Sequence, residues 1–307
     1  MLEQYAIHRV RDLWFENKNG QTRSRRSMSS LVKFLAAYHR SELRGSTRVS
    51  DFLSQRVKSL QNVVLDVDGG SLHLDLRISA ARGIIAGSTF ESGEGDVMRK
   101  YVREGDVVFD IGAHFGLFTL LLAKLAGATG KVFAFEPNAE LLPCLRRTLQ
   151  PISSVELLEI GLSDANREAD LYIPEDASMA SFSDWTKGIA GDVHVVRCRM
   201  ERLDDLVEEG RVLNPNFIKC DVEGAELSVF QGGERTLDRE DGPVILFEAN
   251  AAAARAFGSG PEDEIAFLQS LRRPRYQFFD VAVSGVTEIS LPIQGFTNIV
   301  ALPESRL

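Results

Sequence analysis

The chain has 307 residues, 44% hydrophobic and 26% charged, a globular composition with room for one large domain or two modest ones, which excludes disordered and fibrous classes. Lys and Arg number 35 against 44 Asp and Glu, a net charge of −9, so no nucleic-acid partner is expected for the chain as a whole. No apolar run approaches the roughly 18 residues that would span a bilayer, and the N-terminal stretch has no apolar signal segment, so a cytoplasmic location is expected.

Residues 1–60 carry 12 basic and 5 acidic side chains, +7, leaving 35 − 12 = 23 basic and 44 − 5 = 39 acidic, −16, for the rest. Leu31, Phe34, Leu35 and Tyr38 recur at i, i+3, i+4 and i+7 and predict an amphipathic helix. This basic helical extension is expected either to pack on the main domain with a solvated charged face or to dock an anionic substrate or partner, and it is the candidate surface for a homo-oligomer. Residues 62–78 alternate around Asp68-Gly69-Gly70 and predict a β-hairpin; 62–104 read as that hairpin and a lid segment. From residue 105 the pattern becomes α/β, with strands at 107–111, 131–136, 155–160, 217–220 and 244–248 and helices at 117–125, 139–149 and 262–271. Such alternation implies a parallel sheet covered on both faces. Residues 165–200 break the rhythm and predict a hairpin-rich insertion, and 277–283 with 297–302 predict a closing strand pair. The expected organisation is an extension over 1–60 and one α/β domain over 61–307, with its Rossmann-like core at 105–307. Cys144, Cys198 and Cys220 are odd in number and lack a CxxC pair, so buried reduced thiols are expected rather than disulfides or zinc.

The densest local signal is Val107-Val108-Phe109-Asp110-Ile111-Gly112-Ala113-His114-Phe115-Gly116, a strand that runs through glycines into a helix. In an open α/β sheet, ligands bind beyond the carboxyl ends of the strands, and glycines there admit close backbone approach. The acid before the glycines would repel a pyrophosphate at the helix N-terminus and attract a cationic amino group, and the spacing is not G-x-G-x-x-G. Glu136 ends the second strand 26 residues after Asp110, where a carboxylate can accept both ribose hydroxyls. A nucleoside with a positive amino-acid end and no phosphate describes S-adenosylmethionine.

Asp221-Val222-Glu223-Gly224 places Asp221 and Glu223 toward the same crevice. Methyl transfer to a protonated acceptor needs the acceptor atom in line with the methyl group and a base for its proton; Asp221, Glu223 and His114 are the candidates. Glu226 reads as a helix N-terminal acid. Glu248 and Asn250 end the next strand and, with Asp221, are weak candidates for a divalent cation. Phe182 and Trp185 read equally as a sugar-stacking surface or a small satellite core, and His194, in the same insertion, is a lesser candidate for reaching substrate.

Together, Asp110 to Gly116, Ala134-Phe135-Glu136-Pro137, Leu162-Ser163-Asp164 and the block from Phe217 to Glu226 resemble the FkbM family of S-adenosylmethionine-dependent methyltransferases over roughly residues 62–250. The resemblance implies a class I methyltransferase sheet of seven strands, the last antiparallel, and methylation of hydroxyls on sugars, glycolipids or secondary metabolites. It implies that Asp110, Gly112, Ala113 and Gly116 bind the methionine part of the cofactor, Glu136 the ribose and Asp164 the adenine amino group. Glu91 falls where similar proteins bring a segment over the cofactor, and His114 stands where they usually have Asn. A small-molecule or glycan acceptor is expected. The rival readings are a nucleotide-dependent oxidoreductase and a non-catalytic cofactor-binding module.

Overall fold

The computed structural model describes residues 29–40, 46–86, 92–174, 180–184, 193–282 and 285–306; Glu91 and Trp185 lie outside them. Two helices, α1 (Ser30–Arg40) and α2 (Ser46–Arg56), precede the hairpin β1 (Val63–Val67) and β2 (Gly70–Leu74) and the helices α3 (Ser79–Ala86) and α4 (Ser92–Tyr101). The core begins β3 (Val107–Ile111), α5 (Leu117–Ala126), β4 (Lys131–Phe135), α6 (Leu142–Leu149), β5 (Val155–Leu158). A separate three-stranded unit follows, β6 (Gly161–Leu162), β7 (Arg167–Ile173) and β8 (His194–Glu201). The core resumes with α7 (Leu203–Glu208), β9 (Phe217–Cys220), α8 (Glu226–Gly232), α9 (Glu234–Leu237) and β10 (Val244–Asn250). It ends with α10 (Ala251–Ala256), α11 (Pro261–Ser270), β11 (Tyr276–Ala282), β12 (Gly285–Glu288) and β13 (Phe296–Pro303).

The main sheet has the order β12-β11-β13-β10-β9-β3-β4-β5. Its strands from β10 to β5 are parallel, and β13 runs antiparallel between β10 and β11. The expected seven strands with an antiparallel last one are therefore present, and β12 adds an eighth as a hairpin on β11. The strands are apolar on both faces because both are covered. Phe109, Phe133, Ile218 and Phe247 enter one core, and their neighbours Val108, Val132, Phe217 and Leu246 enter another on the opposite face. All three cysteines are free and buried.

Helix α1 departs from the face read off the spacing. Val32, Leu35 and Ala36 are the buried positions, joined in one core with Leu72 and Leu74 of the hairpin, Ala81 of α3 and Phe115. Phe34 is 58% exposed and stacks on Tyr38 instead. The reason lies in the partner: α1 packs on α3 and shares its core through the face that holds Val32, Leu35 and Ala36, a choice that a count of large apolar residues along one helix does not register.

Leu35→Ala is expected to cost about 2–5 kcal/mol, as for other buried leucines, and Phe34→Ala within about 0.5 kcal/mol, as at an exposed site. Denaturant unfolding of the two variants measures this, and equal losses would return the buried face to the one read from the spacing.

Candidate functional site

The register of four adjacent strands builds the site. Asp110 on β3 lies opposite Lys219 on β9 and Ala134 on β4, and Lys219 lies opposite Leu246 on β10. Side chains on one face of a sheet repeat every two residues, so the next rung on that face is Gly112, Glu136, Asp221 and Glu248. The ladder continues past the strand ends: Asp221 N–H donates to Ile111 O, Gly112 N–H to Phe135 O and Glu136 N–H to Leu158 O. All four residues of this rung line one cleft, together with Ala113, His114, Lys219 and Glu223. Glu94 of α4, Phe118 of α5 and Phe182 from the three-stranded unit line it too.

Lys219 is the one Lys or Arg among the described residues that line this cleft. It is 2% exposed; its Nζ donates to Asp221 Oδ2 at 3.1 Å and sits 5.0 Å from the Phe118 ring centroid. Burial alone would lower its pKa, but the charges of Asp221, Asp110 and Glu94 outweigh that and hold the ammonium well above the ordinary lysine range. Asp110 is itself buried one rung beneath and is not on the cleft wall; the Thr119 hydroxyl donates to its Oδ2 at 2.5 Å. Burial pushes its carboxyl up, against the opposing pull of Lys219 and Thr119. Glu136 accepts His114 N–H on Oε2 at 2.7 Å and Asn138 N–H on Oε1 at 2.8 Å. Burial nevertheless pushes it up to about 7.

Two turns enclose these groups. His114 has φ 54° and Glu223 φ 52°, the left-handed region in which Asn, Asp and His are over-represented, so His114 preserves the backbone that an asparagine would give. Gly112 has φ +83°, and a Cβ on it would fall 2.0 Å from the Asp221 carbonyl oxygen. That glycine is required because two strand-end turns touch each other, a reason distinct from the ligand approach read from sequence.

Carboxylate oxygens of Asp221, Glu223 and Glu248 lie within 4.8 Å of one another. Asn250 presents its amide N–H to this group and not its oxygen: Nδ2 donates to Glu248 at 3.2 Å while Oδ1 accepts from Ala252 and Ala253 N–H, each at 3.2 Å, and caps α10. Asp164 stands apart from the cleft, exposed, with its carboxylate accepting from the Ser163 hydroxyl and Arg167. His194 is exposed and pairs with Glu140 at 2.8 Å. Glu94 and Asn138 escaped the sequence reading. Glu94 belongs to no motif; Asn138 carried a faint turn signal, since its Oδ1 accepts Glu140 N–H two residues on. The Asn138 Nδ2 is buried on the cleft wall with no hydrogen-bond partner among the described residues.

A family model described as "Methyltransferase FkbM domain" matches residues 110–278. Among curated proteins, the chain is 31% identical to the hexuronic acid methyltransferase AglP of Haloferax volcanii over 161 residues, 51% of this chain and 63% of that one. It is 29% identical to the AMB antimetabolite synthetase AmbE of Pseudomonas aeruginosa over 160 residues, 41% of this chain and 8% of that one. It is 26% identical to the 2-O-methyltransferase NoeI of Sinorhizobium fredii over 149 residues, 43% of this chain and 59% of that one. Each match spans less than two thirds of the relative's length.

Lys219→Met is expected to destabilise the fold by about 3–5 kcal/mol at pH 8, because it leaves Asp110 and Asp221 uncompensated. The penalty should shrink at pH 5.5: the raised pKa of Asp110 means that its carboxyl takes up a proton as pH falls and sheds the unpaired charge. Denaturant titration at both pH values decides this, and the same penalty at each would mean that lost packing, not charge, is responsible.

Proposed function

The chain belongs to the FkbM methyltransferase family, and from that premise we propose that it is an S-adenosylmethionine-dependent O-methyltransferase acting on a hydroxyl of a sugar, glycolipid or secondary metabolite. The observation that carries the reading is the rung of Gly112, Glu136, Asp221 and Glu248 at the carboxyl edge of the sheet, which sets a glycine turn and three acids along one cleft and supports a nucleoside-binding role for Glu136 and a proton-accepting one for Asp221.

The residues fit the cofactor. Each Glu136 oxygen already takes one backbone N–H and keeps a further lone pair for a ribose hydroxyl. The orphaned Asn138 Nδ2 supplies a donor two residues on. The acids around the glycine turn suit a cationic amino-acid end. When bound, the cofactor supplies an electrophilic methyl group on a sulfonium.

Within the cleft, Asp221 takes the hydroxyl proton of the acceptor. The buried Lys219 ammonium fixes one of its oxygens and so orients the carboxylate before substrate arrives. Glu223 and His114 are the alternative bases on the same wall. Phe118, Leu171 and Phe182 give the cleft its apolar lining, which excludes water and offers ring faces to a sugar. Among the relatives, one named for hexuronic acid and one for 2-O-methyl transfer support a hydroxyl-bearing carbohydrate as the first class to test. No helix among the described residues is long and apolar enough to cross a membrane.

Calorimetric titration with S-adenosylhomocysteine and with NADH, followed by methyl transfer over a panel of hydroxyl acceptors, tests the assignment; binding of NADH alone would replace it with an oxidoreductase. Glu136→Ala should weaken S-adenosylhomocysteine by at least about tenfold, since two charge-assisted hydrogen bonds are lost. Asp221→Asn should lower turnover by roughly 10²-fold while cofactor affinity stays within a few-fold. Full activity in Asp221→Asn with loss in Glu223→Gln or His114→Ala would move the base to that residue.

A further inference from the structure

Behind the cleft lies a second pair of acids for which the reaction has no use. Glu226 opens α8 and Glu264 lies in α11, the two helices pack together, and both side chains belong to residues that are 0% exposed. Glu226 Oε1 accepts the Val222 N–H at 2.9 Å. Its Oε2 and both oxygens of Glu264 have no hydrogen-bond partner among the described residues. A buried carboxylate without donors is strongly disfavoured, and one proton held between the two groups would satisfy two of these three oxygens and remove one of the two charges.

The N–H that Glu226 holds belongs to the turn carrying Asp221 and Glu223 into the cleft. That turn is strained: Glu223 is left-handed, and Gly224, at φ +96°, packs so closely on α10 that a Cβ would meet the Ala253 carbonyl carbon at 2.5 Å. It is pinned at three places, by Asp221 N–H on Ile111 O, by the Ser181 hydroxyl on Glu223 O at 2.7 Å and by Val222 N–H on Glu226.

We propose that Glu226 and Glu264 share one proton and act as a positioning pair, the protonated Glu264 donating to Glu226 Oε2 while Glu226 Oε1 holds the Val222 N–H and thereby sets Asp221 and Glu223 in the cleft. The proposal rests on the cleft being the methyl-transfer site described above. Burial pushes both carboxyls well above the usual range, and the charge of Glu226 adds to the effect on Glu264. The backbone N–H groups of Val222, Glu226 and Gly224 pull Glu226 the other way, and the titratable groups that bear on the pair are Asp221 from the turn, the Cys220 thiol of β9, and Glu262 and Asp263 from α11, none of them a cation. An acid whose folded-state pKa is raised binds its proton more tightly folded than unfolded, so its stabilising effect is complete below the ordinary carboxylate range and drains away as pH climbs through the folded value.

The test uses the full chain with Glu264→Gln, which keeps the shape and supplies a permanent donor to Glu226, and with Glu226→Gln and Glu226→Leu. Between pH 6 and pH 9 the melting temperature of the unmodified protein should fall by at least about 3 °C more than that of Glu264→Gln. Amide exchange at Val222 should accelerate at least about tenfold in Glu226→Leu and return toward the original rate in Glu226→Gln. With an acceptor from the panel, kcat of the unmodified protein should decline on the alkaline side while Glu264→Gln holds its value and the acceptor KM stays within about twofold. Identical pH slopes for the unmodified protein and Glu264→Gln, or an undisturbed Val222 amide in Glu226→Leu, overturn the pair. If Glu226→Leu does not fold, the Glu264→Gln comparison decides alone. Neither the melting nor the exchange reading needs cofactor or acceptor, so a protein that passes both yet methylates nothing overturns the assigned function and leaves the turn anchor standing.

Discussion

One buried ammonium organises this molecule. Lys219 sits on β9 directly opposite Asp110 on β3, and its Nζ reaches one rung up to Asp221. Around it are Glu94, Asp110 and Asp221, whose charges keep it ionised in spite of its burial. A sheet whose carboxyl edge gathers Glu136, Asp221 and Glu248 within one cleft concentrates like charge where water is scarce, and a compensating cation at its floor lowers that repulsion. The strand register that puts Lys219 beside Asp110 is therefore also what permits an acid-lined cleft to exist.

The turns above that floor are coupled to one another. The carbonyl of Asp221 occupies the space a Gly112 side chain would fill, so the glycine turn at 112–116 and the acidic turn at 221–224 cannot move independently. Both contain a left-handed residue other than glycine, His114 in one and Glu223 in the other. Such conformations persist where surrounding structure over-determines them. His114 N–H is held by Glu136, and the Glu223 turn by Ile111, Ser181 and Glu226. The cofactor half and the acceptor half of the proposed site thus share a single rigid contact, which suits a reaction governed by the alignment of two reactants.

Elements outside the sheet supply the apolar side of the cleft. Helix α1, the β1 and β2 hairpin, α3 and the inner face of β7 and β8 pool Leu35, Leu72, Leu74, Ala81, Leu171 and Cys198 into one core. From that body Ile84, Leu171 and Phe182 reach the cleft wall. Helix α3 and the insertion, far apart in the chain, meet in space as part of the wall that faces the acids.

Much of this was legible in the order of residues. The alternation of apolar runs and amphipathic stretches announced a parallel α/β sheet, and contiguous blocks announced Asp110 to Gly116, Glu136 and Asp221 to Gly224, because strand-end turns write their glycines and acids within a few neighbouring positions. The hairpin around Asp68 was visible for the same reason, its alternation and turn residues being local. What only the folded chain decided were relations between distant segments. Asp110 turned out to lie under the cleft floor instead of on its wall, and Asn250 spends its oxygen on capping α10. Glu94 entered the cleft from a helix with no motif, α1 buried a face chosen by α3, and the helices that bury Glu226 and Glu264 packed together. Local periodicity records which way a residue points along its own element; which partner that face meets, and whether a carboxyl there finds a cation, a backbone N–H or another acid, is set by packing between elements that the linear order does not encode.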